Sequence, residues 1–355
     1  MARRDRRTLI EAARLYYLEG QDQTAVGEIL GLSKSGVSRV LRAAKDEGIV
    51  RFEIVDDEED VRRDADLEQQ LRTVHGLRAV RVARGPGEGR DPVDRVARLG
   101  AEVFCELAPD ASRIGFGWGV SIQRLTEVIP SQRLAPGTSL VSLVGGMPTV
   151  DTAVSGNHML VPLAERTGTR TERFDAPAIV ESRATFDALR SETSVRAALE
   201  RARHCELAFV GIGSYGRGTS RRILEAMHLD AEESQRFVAQ KPCGDLCGHY
   251  FDAQGRPLGE PSSHRVIGLT VEELRAMPLV VGLAAGVERL PGVRAALRTG
   301  ALDMLVLDAD LARALLADEV HLQGAADEGS ASSTAAHVTV EAHCPRCGFP
   351  ITPAG

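Results

Sequence analysis

The residues best suited to chemistry are hydroxyl and cationic side chains that recur at helical spacing near the amino end. They are Lys34, Ser35, Ser38, Arg39 and Arg42, within the segment QTAVGEILGLSKSGVSRVLR. Side chains of this kind hydrogen-bond phosphates and base edges when a helix lies in the major groove of DNA. The pattern therefore predicts a DNA-recognition helix. An ordinary helical hairpin with a solvated basic face is the alternative interpretation.

Two short helices joined by a turn must position this face. The first is predicted to end at Gly31, because glycine tolerates the left-handed backbone of a C-cap. Gly27 lacks a side chain, so the second helix can cross close to it, and Ser33 is a suitable N-cap for that helix. The predicted inward-facing residues are Val26, Ile29, Leu30, Val37, Val40 and Leu41. Gln23, Thr24 and Ser33, beside the basic face, are also assigned to DNA contact.

A preceding helix from about residue 5 to residue 19 completes a three-helix head, and an alternating segment over 48–55 predicts a strand of a small wing. The predicted apolar stripe of the preceding helix is Ile10, Ala13, Leu15, Tyr16 and Tyr17. An acidic run over 56–60 then leads into a helical pattern that ends near His75. That helix is interpreted either as a solvated linker or as a short oligomerisation helix.

Charge is distributed unevenly along the 355 residues, whose net charge is −7. Residues 1–45 carry nine Lys or Arg against five Asp or Glu, whereas residues 51–75 carry four Arg against nine acidic residues. A basic head on an acidic body is typical of a protein that binds DNA through one domain only. The 43% apolar content indicates that the second domain has a large core.

Targeting and metal signals are sparse. No apolar run approaches the ~20 residues that span a bilayer, and no cleavable signal is recognisable, so a cytoplasmic protein without a membrane partner is expected. The six cysteines form no disulfide framework, and Cys243 and Cys247 are interpreted as buried thiols. The CPRCG motif at 344–348 lacks the second CxxC of a zinc ribbon, so no metal or cofactor is predicted. Zinc shared between two such tails is the open alternative.

From residue 79 onward, short apolar runs alternate with helical patterns, which predicts a mostly parallel sheet covered by helices. Predicted strands are 79–83, 113–117, 139–144, 206–213, 265–269, 279–285 and 303–308. Predicted helices are 93–107, 121–129, 155–167, 194–203, 271–276, 290–299 and 309–317. The small, polar tail after residue 318 is expected to be disordered.

Four glycine-rich loops follow predicted strands, at 115–121, 144–148, 211–216 and 284–289. Ligands of open α/β sheets bind at the carboxyl ends of strands, so these loops predict a polar pocket, although each alone is also ordinary turn chemistry. The charged residues nearest the loops are Lys241, Asp245, Arg265 and Arg289.

Catalytic signals are weak. The sequence has no GxSxG, HExxH or GxxxxGK[ST] motif. Asp308 and Asp310 are explained by a solvated helix cap. Only Asp245 and His249 are candidates for an acid and a base, so the chain is predicted not to be an enzyme.

A wider set of motifs resembles the SorC/DeoR-type sugar-responsive transcriptional regulators of bacteria, from about residue 8 to residue 317. The head ARLYYLEGQDQTAVGEILGLSKSGVSRVLRAAKDEGIV is similar to that family's helix-turn-helix. The motifs GFGWGVS, LVGGMP, PAIVES, GDLCGHYFDAQGRPL and HRVIGLTVEELRAMP follow in the family's order. The family's GWGTT-like loop reads Val120-Ser121 here, its usual glycine pair reads Ala285-Gly286, and Arg289 stands where a lysine is common.

The resemblance implies an α/β architecture, with an N-terminal winged helix-turn-helix and a C-terminal Rossmann-like domain akin to sugar-phosphate isomerases. It implies a sugar phosphate effector, a double-stranded DNA operator, and homodimers or homotetramers. The implied pocket residues are Gly117, Trp118, Gly119, Val120, Ser121, Gly145, Gly146, Asp245, Gly248, Arg265, Gly286 and Arg289.

These observations predict four segments: a DNA-binding domain (1–55), a linker or oligomerisation helix (56–78), an effector domain (79–317) and a flexible tail (318–355). The expected function is transcriptional regulation controlled by a sugar phosphate or a related metabolite. The alternatives are a sugar-phosphate isomerase or deaminase-like enzyme fused to a DNA-binding head, and a DNA-binding scaffold that senses no small molecule.

Overall fold

The structure, a computed structural model, describes residues 6–46, 48–50, 63–84, 91–147 and 156–317. The chain divides into two compact units, Met1–Asp60 and Val61–Gly355. The predicted tail with its CPRCG motif lies outside the described residues, as does most of the predicted wing.

The first unit is a small helical domain. It consists of α1 (Arg6–Ala13), a π-helical turn (Arg14–Leu18), α2 (Gln23–Leu30) and α3 (Lys34–Asp46). Its core is formed by Leu9, Ala12, Ala13, Leu15, Val26, Val37, Val40, Leu41 and Ala44. Residues 48–50 form a turn and bends, so the predicted strand does not begin at residue 48.

Two predicted core positions of this unit are wrong. Ile29 is 58% exposed and Ile10 is 41% exposed. The buried face of α2 is centred on Val26 and Gly27, because a Cβ at Gly27 would lie only 2.5 Å from the Leu32 carbonyl oxygen of the turn. Ile29 therefore falls beside that face. In α1 the buried residues are Leu9, Ala12 and Ala13, and Ile10 lies outside this buried face.

The caps of the hairpin follow the sequence signals. Gly31 ends α2 with φ 66°, in the left-handed region where glycine is favoured. Ser33 Oγ accepts a hydrogen bond from Gly36 N at 3.1 Å and so caps α3. Asp22 caps α2, with Oδ1 accepting from Thr24 N and Ala25 N at 2.7 and 2.9 Å. These amide donors lower the pKa of Asp22.

The second unit alternates strands and helices along the chain. Its strands are β1 (Ala79–Ala83), β2 (Arg113–Phe116), β3 (Ser139–Ser142), β4 (Arg170–Glu172), β5 (Leu207–Ser214), β6 (Pro242–Leu246), β7 (His249–Asp252), β8 (Val280–Ala284) and β9 (Met304–Asp308). Its helices are α4 (Ala65–His75), α5 (Pro92–Leu107), α6 (Val120–Val128), α7 (Gly156–Thr167), α8 (Arg183–Ser191), α9 (Thr193–Arg203), α10 (Gly218–Ala226), α11 (Ala231–Ala239), α12 (Val271–Arg275), α13 (Leu290–Arg298) and α14 (309–317).

The main sheet has the strand order β1-β9-β8-β5-β2-β3-β4 and parallel pairing throughout. The chain runs from β2 outward to β3 and β4, and from β5 outward in the other direction to β8 and β9. The strand order therefore reverses between β2 and β5. In open α/β sheets such a reversal leaves a crevice at the carboxyl ends of the two strands.

Helices cover both faces of this sheet. Alternate residues of β5 enter different cores, with Leu207 and Phe209 on the α5–α6–α7 face. Ala208, Val210 and Ile212 enter the core on the other face. Burial on both faces explains why the strands read as nearly continuous apolar runs.

A β-hairpin, β6–β7, extends the carboxyl end of β5. β6 pairs antiparallel with β5, and this register places Gly213 opposite Asp245. This hairpin, strand β4 and helices α8, α10 and α11 are absent from the predicted elements. The predicted strand over 265–269 is wrong: Val266 and Gly268 form isolated bridges to Ile179 and Val144 instead.

Helix α4 packs against the edge strand β1. Leu71 is fully buried in the core, and the Glu68 carboxylate accepts a hydrogen bond from Val82 N at 3.0 Å. The solvated-linker interpretation does not fit this packing, because the helix contributes to the core of the second unit. The oligomerisation role of the helix stays a prediction.

Candidate functional sites

The first candidate site is the outer face of α3. Lys34, Ser35, Ser38, Arg39 and Arg42 are all exposed within the first unit, as is Ser33 at the helix start. The Arg39 Nε donates to Ser35 O at 3.2 Å, which directs the guanidinium along the helix surface. Among the described residues no carboxylate forms an ion pair with the three cations of this face. The face therefore presents positive charge and hydroxyl groups, as DNA contact requires.

Helix α2 contributes the neighbouring surface. Thr24 is exposed and Gln23 is half-buried at its first turn, so both lie where a helix crosses a DNA backbone in helix-turn-helix proteins. Contact between these residues and DNA stays a prediction.

The second candidate site is a pocket at the strand reversal between β2 and β5. It has an empty volume of about 370 Å³, part of which is open to solvent. Its lining combines the loop after β2, the end of β5, the first turns of α10, and two charged residues. The lining residues are Trp118, Gly119, Val120, Ser121, Gly211, Ile212, Gly213, Thr219, Ser220, Ile223, Asp245 and Arg289.

Two helices begin at this pocket without side-chain caps. Gly119, with φ 110°, is the N-cap of α6 and has no side chain to offer. Arg217 is the N-cap of α10 and makes no capping hydrogen bond. The first amides of both helices therefore keep their donors for a bound group, and the helix dipoles favour a negative one.

Asp245 is the buried carboxyl group of the pocket. Its Oδ2 accepts from Gly248 N at 3.2 Å, while Oδ1 has no hydrogen-bond partner among the described residues. Burial raises the pKa of Asp245, and the nearby Ser220 hydroxyl, the Gly248 amide and Arg289 offset this only in part. A Cβ at Gly213 would lie 1.8 Å from Oδ1, so glycine at that position is what admits the carboxyl group.

Arg289 supplies the positive charge. Its Nη1 donates to Ile212 O at 3.2 Å, and a Cβ at Gly218 would lie 3.2 Å from Nη2, so the guanidinium bridges the end of β5 and the start of α10. Asp308 holds the loop that carries it, because Oδ2 accepts from Gly286 N at 2.7 Å. Asp308 also caps α14 through Leu311 N, but it is buried and not solvated as predicted.

The aromatic wall of the pocket is Trp118, which is 5% exposed. Gly248, with φ 81°, packs against it, and a Cβ there would lie 3.2 Å from the Trp118 ring. Gly117 packs beside the Cys247 sulfur and Val210 behind the same loop. Both predicted glycines therefore support the wall without lining the pocket.

Four further predicted residues lie away from the lining: Gly145, Gly146, Arg265 and Gly286, the last of which carries the loop of Arg289. Gly145 and Gly146 pack on the backbone of 176–178, and a Cβ at Gly145 would lie 2.4 Å from Ala176 O. Arg265 is 5% exposed and pairs with Glu233 of α11 at 2.5 Å. The resemblance, and for Arg265 also its nearness to the glycine-rich loops, predicts ligand contact, whereas in the structure Gly145, Gly146 and Arg265 serve packing and ion pairing.

Asp245 and His249, the candidate acid and base, do not meet in the pocket. His249 is buried outside its lining, and its Nε2 has no hydrogen-bond partner among the described residues. Burial lowers the pKa of His249 to about 4. Among the described residues no group of three His, Cys, Asp or Glu could hold a metal ion. Cys247 is buried and Cys243 half-buried, both as free thiols.

Sequence reasoning missed the contribution of α10. Thr219, Ser220 and Ile223 line the pocket, and their helix follows the third glycine-rich loop. The signal was the basic and hydroxyl-rich run GRGTSRR, which opens the helix directly after β5. Its glycines masked the helical pattern.

Comparisons with known proteins define the class. Residues 59–317 match the family described as "putative sugar-binding domain". The chain is 25% identical to the deoxyribonucleoside regulator of Bacillus subtilis over 90% of this chain and 100% of that one. It is 29% identical to the transcriptional regulator LsrR of Klebsiella pneumoniae over 85% of this chain and 90% of that one.

The structure resembles the full-length sorbitol operon regulator SorC of Klebsiella pneumoniae, with a TM-score of 0.63, 25% identity, and coverage of 87% of this chain and 98% of that one. These similarities define a two-part transcriptional regulator with a sugar-binding domain. The chain belongs to the SorC/DeoR family of such regulators. In the part of the chain that the structure describes, no helix is long and apolar enough to cross a membrane.

Proposed function

We propose that operator binding by this regulator is controlled by a phosphorylated sugar bound in the pocket between β2 and β5. The observation that carries the proposal is the uncapped start of α6 beside the buried Asp245 carboxyl group. The α6 amides suit a phosphate, and the carboxyl oxygen suits a sugar hydroxyl. Trp118 offers an apolar wall for the carbon skeleton.

The exposed face of α3 is the proposed operator-reading surface. Lys34, Ser35, Ser38 and Arg39 are assigned to the groove, and Arg42 to phosphates. The domain limits stated above, 1–55 for the head and 79–317 for effector binding, stay part of the proposal. The protein would act in the cytoplasm, where its operator is found.

Control of DNA binding requires that the effector prefer one of two assemblies. Homodimers or homotetramers that hold paired heads at different spacings would provide such states. An effector shifts their balance only by its differential affinity for the two, so a ~100-fold preference supplies about 2.7 kcal/mol.

The test is a two-part binding experiment with the full-length chain. Genomic fragments that the protein retains are sequenced, and the recovered operator is titrated with and without a panel of sugar phosphates. We expect a phosphorylated sugar to change operator affinity, whereas the matching unphosphorylated sugar leaves it unchanged. If no compound of the panel raises the melting temperature and none changes the DNA affinity, the scaffold alternative is favoured.

The enzymatic alternative is tested with the same panel. An isomerase or deaminase needs a positioned acid and base, and only Asp245 of the two candidates lines the pocket. We therefore expect the purified protein to leave each sugar phosphate unchanged on prolonged incubation, as followed by NMR. Turnover that disappears with Asp245→Asn would establish the enzyme instead.

A further inference from the structure

Tyr250 is a buried tyrosine just outside the pocket. It lies on β7, opposite Asp245 of β6 in the register of the hairpin. Its side chain is 2% exposed, and its ring packs edge-on against the rings of Tyr215 and Phe237. Burial raises the pKa of Tyr250 well above its usual value, so its hydroxyl stays protonated. Tyr250 itself is not among the residues that line the pocket, so any effect on a ligand must pass through another residue.

That residue is Ser220, which lines the pocket from the first turn of α10. The Tyr250 hydroxyl donates a hydrogen bond to the Ser220 carbonyl oxygen. The Ser220 hydroxyl in turn donates to the Tyr250 oxygen at 3.4 Å, and both hydrogen bonds are buried. Tyr250 therefore holds the backbone and the hydroxyl group of Ser220 at the same time.

The Ser220 hydroxyl also lies near the Asp245 carboxyl group. Both residues line the pocket, and the hydroxyl is one of the groups that offset the rise in the Asp245 pKa. Yet the hydroxyl donates to Tyr250, and Asp245 Oδ1 has no hydrogen-bond partner among the described residues. A serine hydroxyl has only one proton to donate. The acceptor in the pocket is therefore open because the Ser220 proton is directed to Tyr250.

We propose that Tyr250 is a positioning residue of the effector pocket. It holds the Ser220 hydroxyl away from Asp245, so that Oδ1 stays open for a hydroxyl group of the effector. The inference rests on the proposed function, because it concerns the specificity of the same pocket. A buried acceptor penalises a ligand that covers it without donating a hydrogen bond. Tyr250 thereby sets the selectivity for a sugar that carries this hydroxyl over the deoxy sugar that lacks it.

Calorimetric titration of the full-length chain tests this role. The probes are ribose 5-phosphate, glucose 6-phosphate, fructose 6-phosphate and sorbitol 6-phosphate, and the probe that binds most tightly is compared with each of its monodeoxy analogues. The selectivity is the dissociation constant of the analogue divided by that of the parent sugar phosphate. For the unaltered chain, we expect at least one analogue, which lacks the hydroxyl that donates to Asp245, to bind about tenfold more weakly than the parent.

Matched variants assign the selectivity to Tyr250. Tyr250→Phe keeps the ring but frees the Ser220 proton to turn to Asp245 and fill Oδ1, so we expect the selectivity to fall about tenfold, to near one. In the double variant Tyr250→Phe/Ser220→Ala no hydroxyl remains to fill the acceptor, and the selectivity should return to the wild-type value. A tyrosine that served packing alone would show no such rescue. Tyr215→Phe removes a hydroxyl from the same aromatic cluster and, as the control, should keep the selectivity.

Unchanged selectivity in Tyr250→Phe would overturn the positioning role, and so would a loss of selectivity that Ser220→Ala does not restore. Equal affinity of the unaltered chain for the parent and all its deoxy analogues would overturn it as well, because Asp245 would then receive no effector hydroxyl. In each of these cases the binding of the parent sugar phosphate still supports the proposed function. If no probe binds the unaltered chain, the proposed function and the positioning role are rejected together.

Discussion

Burial acts on two ionisable residues of one hairpin, with different consequences. Asp245 on β6 and His249 on β7 are both buried; burial raises the pKa of the first and lowers that of the second to about 4. In each case burial disfavours the charged form, because a low-dielectric environment solvates charge poorly. Of the two, only Asp245 lines the pocket, so its burial affects the effector site, whereas the burial of His249 affects stability.

The His249 pKa predicts a pH-dependent stability. Its folded pKa of about 4 lies below the ~6.5 of an unfolded histidine, so between these values the unfolded chain binds the proton. The contribution of the buried neutral His249 to the free energy of unfolding is therefore fully present above that window. It is lost as the pH falls through the window, by up to about 1.4 kcal/mol per pH unit.

Urea denaturation of wild type and His249→Gln at pH 7, 6 and 5 measures this contribution. Carboxylates also titrate near pH 5, so the informative quantity is the difference between the two proteins. We expect the variant to lose less stability on acidification, and parallel losses would contradict the buried neutral imidazole.

Arg39 is the residue whose loss should change sequence preference. Its exposed guanidinium lies on the outer face of α3, where base edges are read. We expect Arg39→Ala to weaken operator binding by about 1–3 kcal/mol and to relax sequence preference, as measured by competition with operator variants.

Arg42 on the same helix gives the matched comparison, because it is assigned to phosphate. Arg42→Ala should weaken all DNA sequences alike and reduce the salt dependence of binding by about one unit of slope. Identical behaviour of the two alanine variants would argue against separate base and phosphate roles.

At the scale of elements, α4 depends on one buried carboxylate. Glu68 accepts from Val82 N at 3.0 Å and pairs with Arg63 Nη2 at 2.6 Å, which joins the helix to the edge strand β1. Glu68→Ala would leave the Val82 amide without an acceptor, which costs about 1–3 kcal/mol. Glu68→Gln keeps an acceptor and serves as the control.

The measurement is chemical unfolding of both variants, read by far-UV circular dichroism. The alanine variant should unfold at clearly lower denaturant than the glutamine variant. Equal midpoints would mean that the hydrogen bond to Val82 does not hold α4 on the sheet.

Elements with strong local signals could be predicted from sequence. The apolar run of β1 at 79–83 and the amphipathic pattern of α5 needed no tertiary information. Helix α10 was missed because Gly218 opens it without a capping side chain. Helix α11, which is not among the predicted helices, begins with the capping box of Asp230 and Glu233, a signal that can be read from sequence.

The candidate site depended more on long-range pairing. Trp118 to Ser121 could be assigned because their loop joins a strand to a helix along the chain. Asp245 is predicted from its nearness to the glycine-rich loops and from the resemblance, but its position follows from the β5–β6 register, which places it opposite Gly213. Arg265 shows the converse, since nothing near it in sequence predicts its ion pair with Glu233, 32 residues away.

At the scale of the whole molecule, the proposed function predicts a reciprocal coupling. If the effector changes operator affinity by some factor, the operator must change effector affinity by the same factor. A factor of ~100 corresponds to about 2.7 kcal/mol of coupling free energy. We expect two independent titrations, of DNA at saturating effector and of effector at saturating DNA, to give equal ratios.

Gly213→Ala is the variant that separates coupling from DNA binding. Its Cβ would lie 1.8 Å from Asp245 Oδ1, so the carboxyl group must move and the pocket loses its buried acceptor. Gly259→Ala is the control, since its nearest neighbour would be a side-chain oxygen at 3.6 Å. Without effector, we expect Gly213→Ala to bind the operator as wild type does. We also expect that adding the effector no longer changes the operator affinity of this variant. A full response in Gly213→Ala, or unequal ratios in the two titrations, would contradict control of DNA binding through this pocket.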